Sequence, residues 1–138
     1  MNSDNLGHKG SGKTKRLISC VNEAVESSKG NVVCVEKETK LTYDVNYRAR
    51  LIGTDDYAIK GYAAFYGFLA GICAGNHDIT DVLVDATLRI GGRDYNELAR
   101  FLENIYELSS KNEKDFVFTI SADKDELPAS IFNFCKVI

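Results

Sequence analysis

The stretch that decides the fold is Gly7-His8-Lys9-Gly10-Ser11-Gly12-Lys13-Thr14, which matches the pattern G-x-x-x-x-G-K-[ST] at every position. The glycines of this pattern allow successive backbone N–H groups to point inward and surround a phosphate. The helix that follows directs the positive end of its dipole at the same anion. The stretch, called here the glycine-rich motif (residues 7–14), therefore predicts a phosphate-binding loop between a β-strand and an α-helix.

Two side chains of the glycine-rich motif carry its specific chemistry. Lys13 is predicted to reach the β- and γ-phosphates, which also makes it a candidate catalytic residue. Thr14 is predicted to offer its hydroxyl to Mg²⁺. The residues expected to surround the phosphates are Gly7, His8, Lys9, Gly10, Ser11, Gly12, Lys13 and Thr14.

The residues before Gly7 do not resemble the buried strand that such a loop should follow. They read MNSDNL, and most of these residue types are rare in strands. Three explanations remain open: a short strand held by backbone pairing, a true start further upstream, or a variant that has lost its strand. In the last case the loop would be poorly anchored and would bind phosphate more weakly.

The spacing of apolar residues predicts helices and strands that alternate along the chain. Helical spacing predicts helices over 13–28, 61–75 and 94–108, and a short helix over 123–132 broken near Pro128. Short apolar runs predict strands over 31–36, 81–85, 115–120 and 134–138, and alternation predicts a strand or hairpin arm over 43–51. This order is typical of a three-layer α/β sandwich with a mostly parallel sheet.

The overall composition limits the class of protein. The 138 residues (1–138) fit one domain, and 44% hydrophobic with 27% charged residues is typical of a folded soluble protein. A net charge of -3 argues against nucleic acid as the main partner. Because neither a membrane-length apolar run nor an apolar signal core is present, we expect a cytoplasmic protein without membrane contact.

Cysteine and histidine do not form a recognisable metal pattern. The four cysteines are outside any C-x-x-C pair, so a zinc site is not supported. Each has apolar neighbours, and we expect four buried, reduced thiols: Cys20, Cys34, Cys73 and Cys135. His8 and His77 have no second ligand at metal spacing.

A second motif lies downstream, at Val82-Leu83-Val84-Asp85, where an apolar strand ends in aspartate. Together with the glycine-rich motif it resembles the Walker B and Walker A segments of the P-loop NTPase superfamily. The resemblance implies that Asp85 and Thr14 support Mg²⁺ and that ATP and Mg²⁺ are the cofactors. Residues 121–125 depart from the N-K-x-D pattern of guanine-binding proteins, which favours ATP over GTP.

Glu36 is the second candidate catalytic residue. In RecA-like ATPases a glutamate in a similar place polarises the attacking water, and the resemblance implies that role for Glu36. The common alternative, a glutamate directly after the Walker B aspartate, is absent because residue 86 is alanine. We therefore expect an ATP-binding protein whose hydrolysis is weak or depends on a protein partner.

Two other functions fit the same motifs. A small-molecule or nucleoside kinase would use residues 43–68 as its acceptor pocket and Arg89 or Arg93 to clamp the transferring phosphate, with Arg48 and Arg50 as further candidates. An interaction module that keeps the fold without binding nucleotide would explain the unusual N-terminus and the alanine at 86.

Overall fold

The structure is a computed structural model that describes residues 2–7, 13–39, 44–133 and 135–137. Strands and helices alternate along these ranges, as the apolar spacing predicts. The strands are β1 (Asn2–Gly7), β2 (Asn31–Glu36), β3 (Arg50–Gly53), β4 (Ile79–Asp85), β5 (Asp115–Ser121) and β6 (Cys135–Val137). The α-helices are α1 (Lys13–Ser27), α2 (Tyr62–Gly75), α3 (Thr87–Gly91) and α4 (Tyr95–Asn112).

The described strands form one sheet in the order β3-β2-β4-β5-β1-β6, and every neighbouring pair is parallel. All six strands therefore end at the same edge, called here the carboxyl edge. Helix α1 covers one face of the sheet, and α2 and α4 pack together over the other. This arrangement confirms the predicted three-layer α/β sandwich.

Each face of the sheet has its own apolar core. Leu17 and Val21 of α1 are buried against Cys34 of β2 and Leu83 of β4. On the opposite face, aromatic and aliphatic side chains of α2 and α4 pack on the strands in a larger core that includes Phe65, Leu69, Phe101, Phe116 and Phe118. Because the central strands are buried on both faces, their sequences are continuous apolar runs.

Strand β1 forms despite its polar sequence. It pairs with β5 from Asn2↔Phe116 to Gly7↔Ser121, and it pairs with β6 along its first half. Backbone hydrogen bonds on both sides hold a segment whose residue types have little intrinsic preference for a strand. The explanation in which residues 1–6 contain a short strand is confirmed, and the one in which the strand is lost is wrong.

Several predicted boundaries need correction. The strand or hairpin arm predicted over 43–51 overlaps β3 only at 50–51, and the parallel pairing of β3 with β2 rules out a hairpin between them. The helix predicted over 123–132 is two 3₁₀-helices, Lys124–Glu126 and Ala129–Asn133, separated by the turn at Pro128. Helix α3 was not predicted, because five residues are too few to show helical spacing.

The glycines inside α2 do not serve close packing. A Cβ atom added at Gly67, Gly71 or Gly75 would meet nothing within 4 Å. The helix is held instead by its buried apolar stripe, which includes Phe65 and Leu69. Burial of this stripe outweighs a helix-propensity cost of about 1 kcal/mol for each glycine.

The cysteines follow the prediction in part. Cys34 and Cys73 are buried free thiols, whereas Cys20 is a free thiol that is only half-buried. Cys135 belongs to β6, and its side chain lies outside the described part of the structure. Within the described ranges, no helix combines the length and apolarity that crossing a membrane requires.

Candidate functional site

The glycine-rich motif lies between a strand and a helix, as its pattern requires. Gly7 is the last residue of β1, Lys13 is the first residue of α1, and Thr14 is exposed in the first turn of that helix. The other predicted phosphate-binding residues, His8, Lys9, Gly10, Ser11 and Gly12, lie outside the described residues. Their role in binding phosphate therefore stays a prediction. In the chain they lie between β1 and α1, both of which the structure describes.

Helix α1 starts at the carboxyl edge of the sheet. The chain leaves β1 at this edge after Gly7, and α1 runs back across the sheet. At the far end of α1, the hydroxyl of Ser28 is hydrogen-bonded to that of Thr80 near the beginning of β4. The N-terminus of α1, with the free backbone N–H groups and positive dipole end of a helix start, therefore lies at the carboxyl edge.

Glu36 and Asp85 end two neighbouring strands at this same edge. Glu36 of β2 and Asp85 of β4 are register partners, each the last residue of its strand. Counting back two residues along each strand leads to Cys34 and Leu83, which pack against α1. Since side chains alternate along a strand, Glu36 and Asp85 belong to the face that α1 covers. Glu36 is buried and Asp85 is half-buried.

Thr119 holds the carboxylate of Asp85. It lies on β5, the next strand, and its fully buried hydroxyl donates a hydrogen bond to Asp85 Oδ1, with the Val84 carbonyl oxygen 3.4 Å away. Analysis of the sequence missed this residue. Its one signal in the sequence is a hydroxyl within the apolar run from Phe116 to Ile120, near the end of β5 at the carboxyl edge.

The two carboxylates create a negative field beneath α1. Burial, together with the smaller effect of the charges of Glu36 and Asp85, raises the pKa of the Cys34 thiol to about 12. Both carboxylates therefore lie close enough to the buried Cys34 thiol to affect its pKa. A region of this sign attracts a cation, while the neighbouring helix start attracts an anion.

The chemistry of these groups fits Mg²⁺. This ion prefers oxygen ligands, keeps several waters, and is usually bound through one or two carboxylates together with substrate phosphates. Asp85 offers a carboxylate that Thr119 orients, and the exposed hydroxyl of Thr14 is an oxygen ligand of the right kind. The described residues contain no group of three or more His, Cys, Asp or Glu arranged as a metal site.

The segment after Asp85 is fixed to the start of α2. The peptide bond between Asp85 and Ala86 is cis. Further on, Gly61 donates its N–H to the Ile90 carbonyl at 3.1 Å, and the Tyr62 hydroxyl donates to the Gly92 carbonyl at 2.6 Å. Both bonds tie the C-terminal end of α3 to the start of α2.

The candidate arginines separate into two groups. Arg89 and Arg93 are exposed and follow Asp85, so they lie on the side of the carboxyl edge. Arg48 pairs with Glu26 at 3.2 Å near the end of α1, and Arg50 is the first residue of β3, so both lie at the opposite edge. The stretch 43–68 is therefore divided between the two edges, because β3 crosses the sheet within it.

Comparison with known proteins assigns no family to this chain. No protein-family model matches it, and no curated protein matches it. The function is therefore argued from the chain's own residues and their arrangement.

Proposed function

We propose that this protein binds ATP with Mg²⁺ at the carboxyl edge of its sheet and hydrolyses it weakly or with the help of a protein partner. The observation that carries the proposal is a coincidence of two independent features. Helix α1, which follows the glycine-rich motif, begins at the edge where Glu36 and Asp85 end their strands. It also covers the sheet face to which those two side chains belong. Anion-binding and cation-binding groups thus share one site.

Each group has a defined role in this proposal. Backbone N–H groups of residues 7–14 surround the phosphates, and Lys13 binds the β- and γ-phosphates. Thr14 and Asp85 are the residues that would hold Mg²⁺, which when bound neutralises charge on the phosphate oxygens. Thr119 keeps the Asp85 carboxylate in one orientation.

Glu36 is the proposed base that orients the attacking water. It is buried beside Asp85, and a carboxylate placed there can accept a proton from a water near the γ-phosphate. Residue 86 is alanine, so the position directly after Asp85 supplies no second carboxylate. Slow hydrolysis in the isolated protein follows from this, and a partner that adds positive charge at the γ-phosphate would accelerate it.

Calorimetric titration with Mg·ATP tests the proposal. We expect saturable binding to the full chain and a loss of at least about tenfold in affinity for Lys13→Ala, about 1.4 kcal/mol or more. Lys15→Ala is the matched control, since Lys15 is an exposed lysine in the same first turn of α1. An unchanged affinity in Lys13→Ala, or an equal loss in both variants, would disprove ATP binding at this motif.

The two alternative functions have less support. The kinase hypothesis needs one acceptor pocket in 43–68, which β3 divides between opposite edges. The hypothesis of an interaction module drew on the missing first strand and on the alanine at 86. Strand β1 is present, so only the alanine still favours it. Two further proposals rest on composition and charge: that the protein is cytoplasmic, and that nucleic acid is not its main partner.

A further inference from the structure

Four serine and threonine side chains are buried within the ranges that the structure describes, and their hydroxyls differ in their bonding. Thr119 and Ser109 each donate a hydrogen bond, to the Asp85 carboxylate and to a backbone carbonyl respectively. The fully buried hydroxyls of Thr54 and Thr87 have no hydrogen-bond partner among the described residues. A buried hydroxyl of this kind destabilises the folded protein, because it has lost its hydrogen bonds to water. Such groups are uncommon and call for a functional reason.

Both of these hydroxyls lie at the carboxyl edge, on either side of the Glu36–Asp85 pair. Thr54 directly follows Gly53, which is the register partner of Glu36 and the last residue of β3. Thr87 is the second residue after Asp85 and the first residue of α3. Since two residues of chain span at most about 7 Å, Thr87 and Asp85 are close neighbours. The two hydroxyls therefore flank the groups to which we assign the metal ion and the attacking water.

Thr87 is nearer than Thr54 to the strand that leads into the glycine-rich motif. In the sheet, β4 is two positions from β1, whereas β3 is four positions from it. With about 4.8 Å between neighbouring strands, these separations are about 10 Å and about 19 Å. A ligand bound between the glycine-rich motif and Asp85 therefore lies closer to Thr87 than to Thr54.

The surroundings of Thr87 favour a hydrogen bond to such a ligand. Asp85 and Ala86 are half-buried, so solvent reaches the carboxyl edge directly beside Thr87, whose own side chain is fully buried. Because the Thr87 hydroxyl is already out of water, a bond to a ligand would not require a bond to water to be broken. The same bond would remove the unfavourable free energy of the unpartnered hydroxyl.

We propose that Thr87 is a ligand-binding residue of the ATP site, whose hydroxyl makes its hydrogen bond to an oxygen that arrives with Mg·ATP. This inference rests on the proposed function. A hydroxyl can donate to a γ-phosphate oxygen or accept from a water molecule bound to Mg²⁺, and either oxygen would satisfy it. The unpartnered hydroxyl is then a property of the ligand-free protein alone.

Thr87→Val tests the proposal, because valine keeps the shape of threonine without the hydroxyl. The urea midpoint of the ligand-free variant should equal or exceed that of the wild type, since the lost hydroxyl has no partner among the described residues. Its affinity for Mg·ATP, measured by calorimetry, should fall at least about fivefold. An equal loss of affinity for Mg·ADP assigns the bond to the metal-bound water, and an unchanged affinity for Mg·ADP assigns it to the γ-phosphate.

Two further variants serve as controls. Thr54→Val removes a hydroxyl that is equally buried and also lacks a partner in the described ranges, but lies farther from the glycine-rich motif, so Mg·ATP affinity should not change. Thr87→Ser retains the hydroxyl and should keep the affinity within about threefold of the wild type.

Four results would overturn the inference: an unchanged affinity in Thr87→Val, an equal loss in Thr54→Val, an equal loss in Thr87→Ser, or a lowered urea midpoint for Thr87→Val. The last result would show that the hydroxyl stabilises the fold. If the wild type does not bind Mg·ATP, the proposed function and this inference fail together. If the wild type binds and Thr87→Val binds equally well, this inference alone fails.

Discussion

The hydroxyl of Thr119 donates a hydrogen bond to the carboxylate of Asp85 on the neighbouring strand. Glu36 pairs with Asp85 on its other side, so three adjacent strands, β2, β4 and β5, present a row of polar groups at one level of the sheet. A buried hydroxyl that binds a carboxylate limits the rotation of that carboxylate. The row therefore gives Asp85 a fixed direction before any ligand arrives.

Thr119→Val removes the hydroxyl while keeping the shape of the side chain. We expect affinity for Mg·ATP to fall about tenfold, because loss of a group that orients a metal ligand commonly costs this much or more. Thr119→Ser keeps the hydroxyl and should retain most of the affinity. Titrations with and without Mg²⁺ check the result: an equal effect under both conditions would contradict a role for Thr119 through the metal.

Glu36→Gln should separate binding from hydrolysis. The amide keeps the size of the side chain but cannot take a proton, so ATP hydrolysis should fall about 100-fold or more, while ATP affinity changes less than about threefold. Glu38→Gln, two residues on at an exposed position, is the control. Single-turnover measurement of phosphate release gives the rate, and a Glu36→Gln variant as active as the control would exclude Glu36 as the base.

The raised pKa of Cys34 predicts a loss of stability in alkali. The unfolded thiol loses its proton near its ordinary value of about 9, whereas the folded thiol keeps its proton up to about 12. Between these values the unfolded state is stabilised, so the free energy of unfolding falls by up to about 1.4 kcal/mol per pH unit from this group.

Urea unfolding of the wild type and of Cys34→Ala from pH 7 to 11 checks this prediction. The difference between the two proteins at pH 7 measures the packing lost with the sulfur. Above pH 9 that difference should shrink, because the alanine variant lacks the unfavourable proton linkage. A constant difference over the whole range would show that the thiol does not have the raised pKa.

Glycine substitutions in and near α2 should have opposite effects. Gly67→Ala and Gly71→Ala place a methyl group in open space and should each raise the free energy of unfolding by about 0.5–1 kcal/mol. Gly91→Ala should lower it by about 1–3 kcal/mol, because the new Cβ would meet the Tyr62 ring. Urea unfolding measures all three, and a destabilising Gly71→Ala would contradict the open space around that position.

Local patterns were sufficient for most of the central elements. The apolar runs at 31–36 and 115–120 predicted β2 and β5 almost to the residue. Short, continuous apolar runs are typical of strands that are buried on both faces of a sheet. The helix predicted over 94–108 is α4, which begins where the Asp94 carboxylate accepts from the N–H groups of Asn96 and Glu97. The spacing of apolar residues did not predict the bounds of the short segments, β3 and the 3₁₀-helices. The conformation of these segments depends on the elements they contact more than on their own residues.

The sequence by itself determined the alternating α/β order of the chain and singled out the residues that could carry chemistry: a glycine-rich motif, and an aspartate and a glutamate at strand ends. Only the tertiary structure decided that Asn2–Gly7 is a strand, since pairing with β5 and β6 overrides its weak local preference. It also decided the strand order that places Asp85 between Glu36 on one side and Thr119 on the other. Such neighbours depend on backbone pairing between distant segments, and local residue preferences carry little information about which strands will pair.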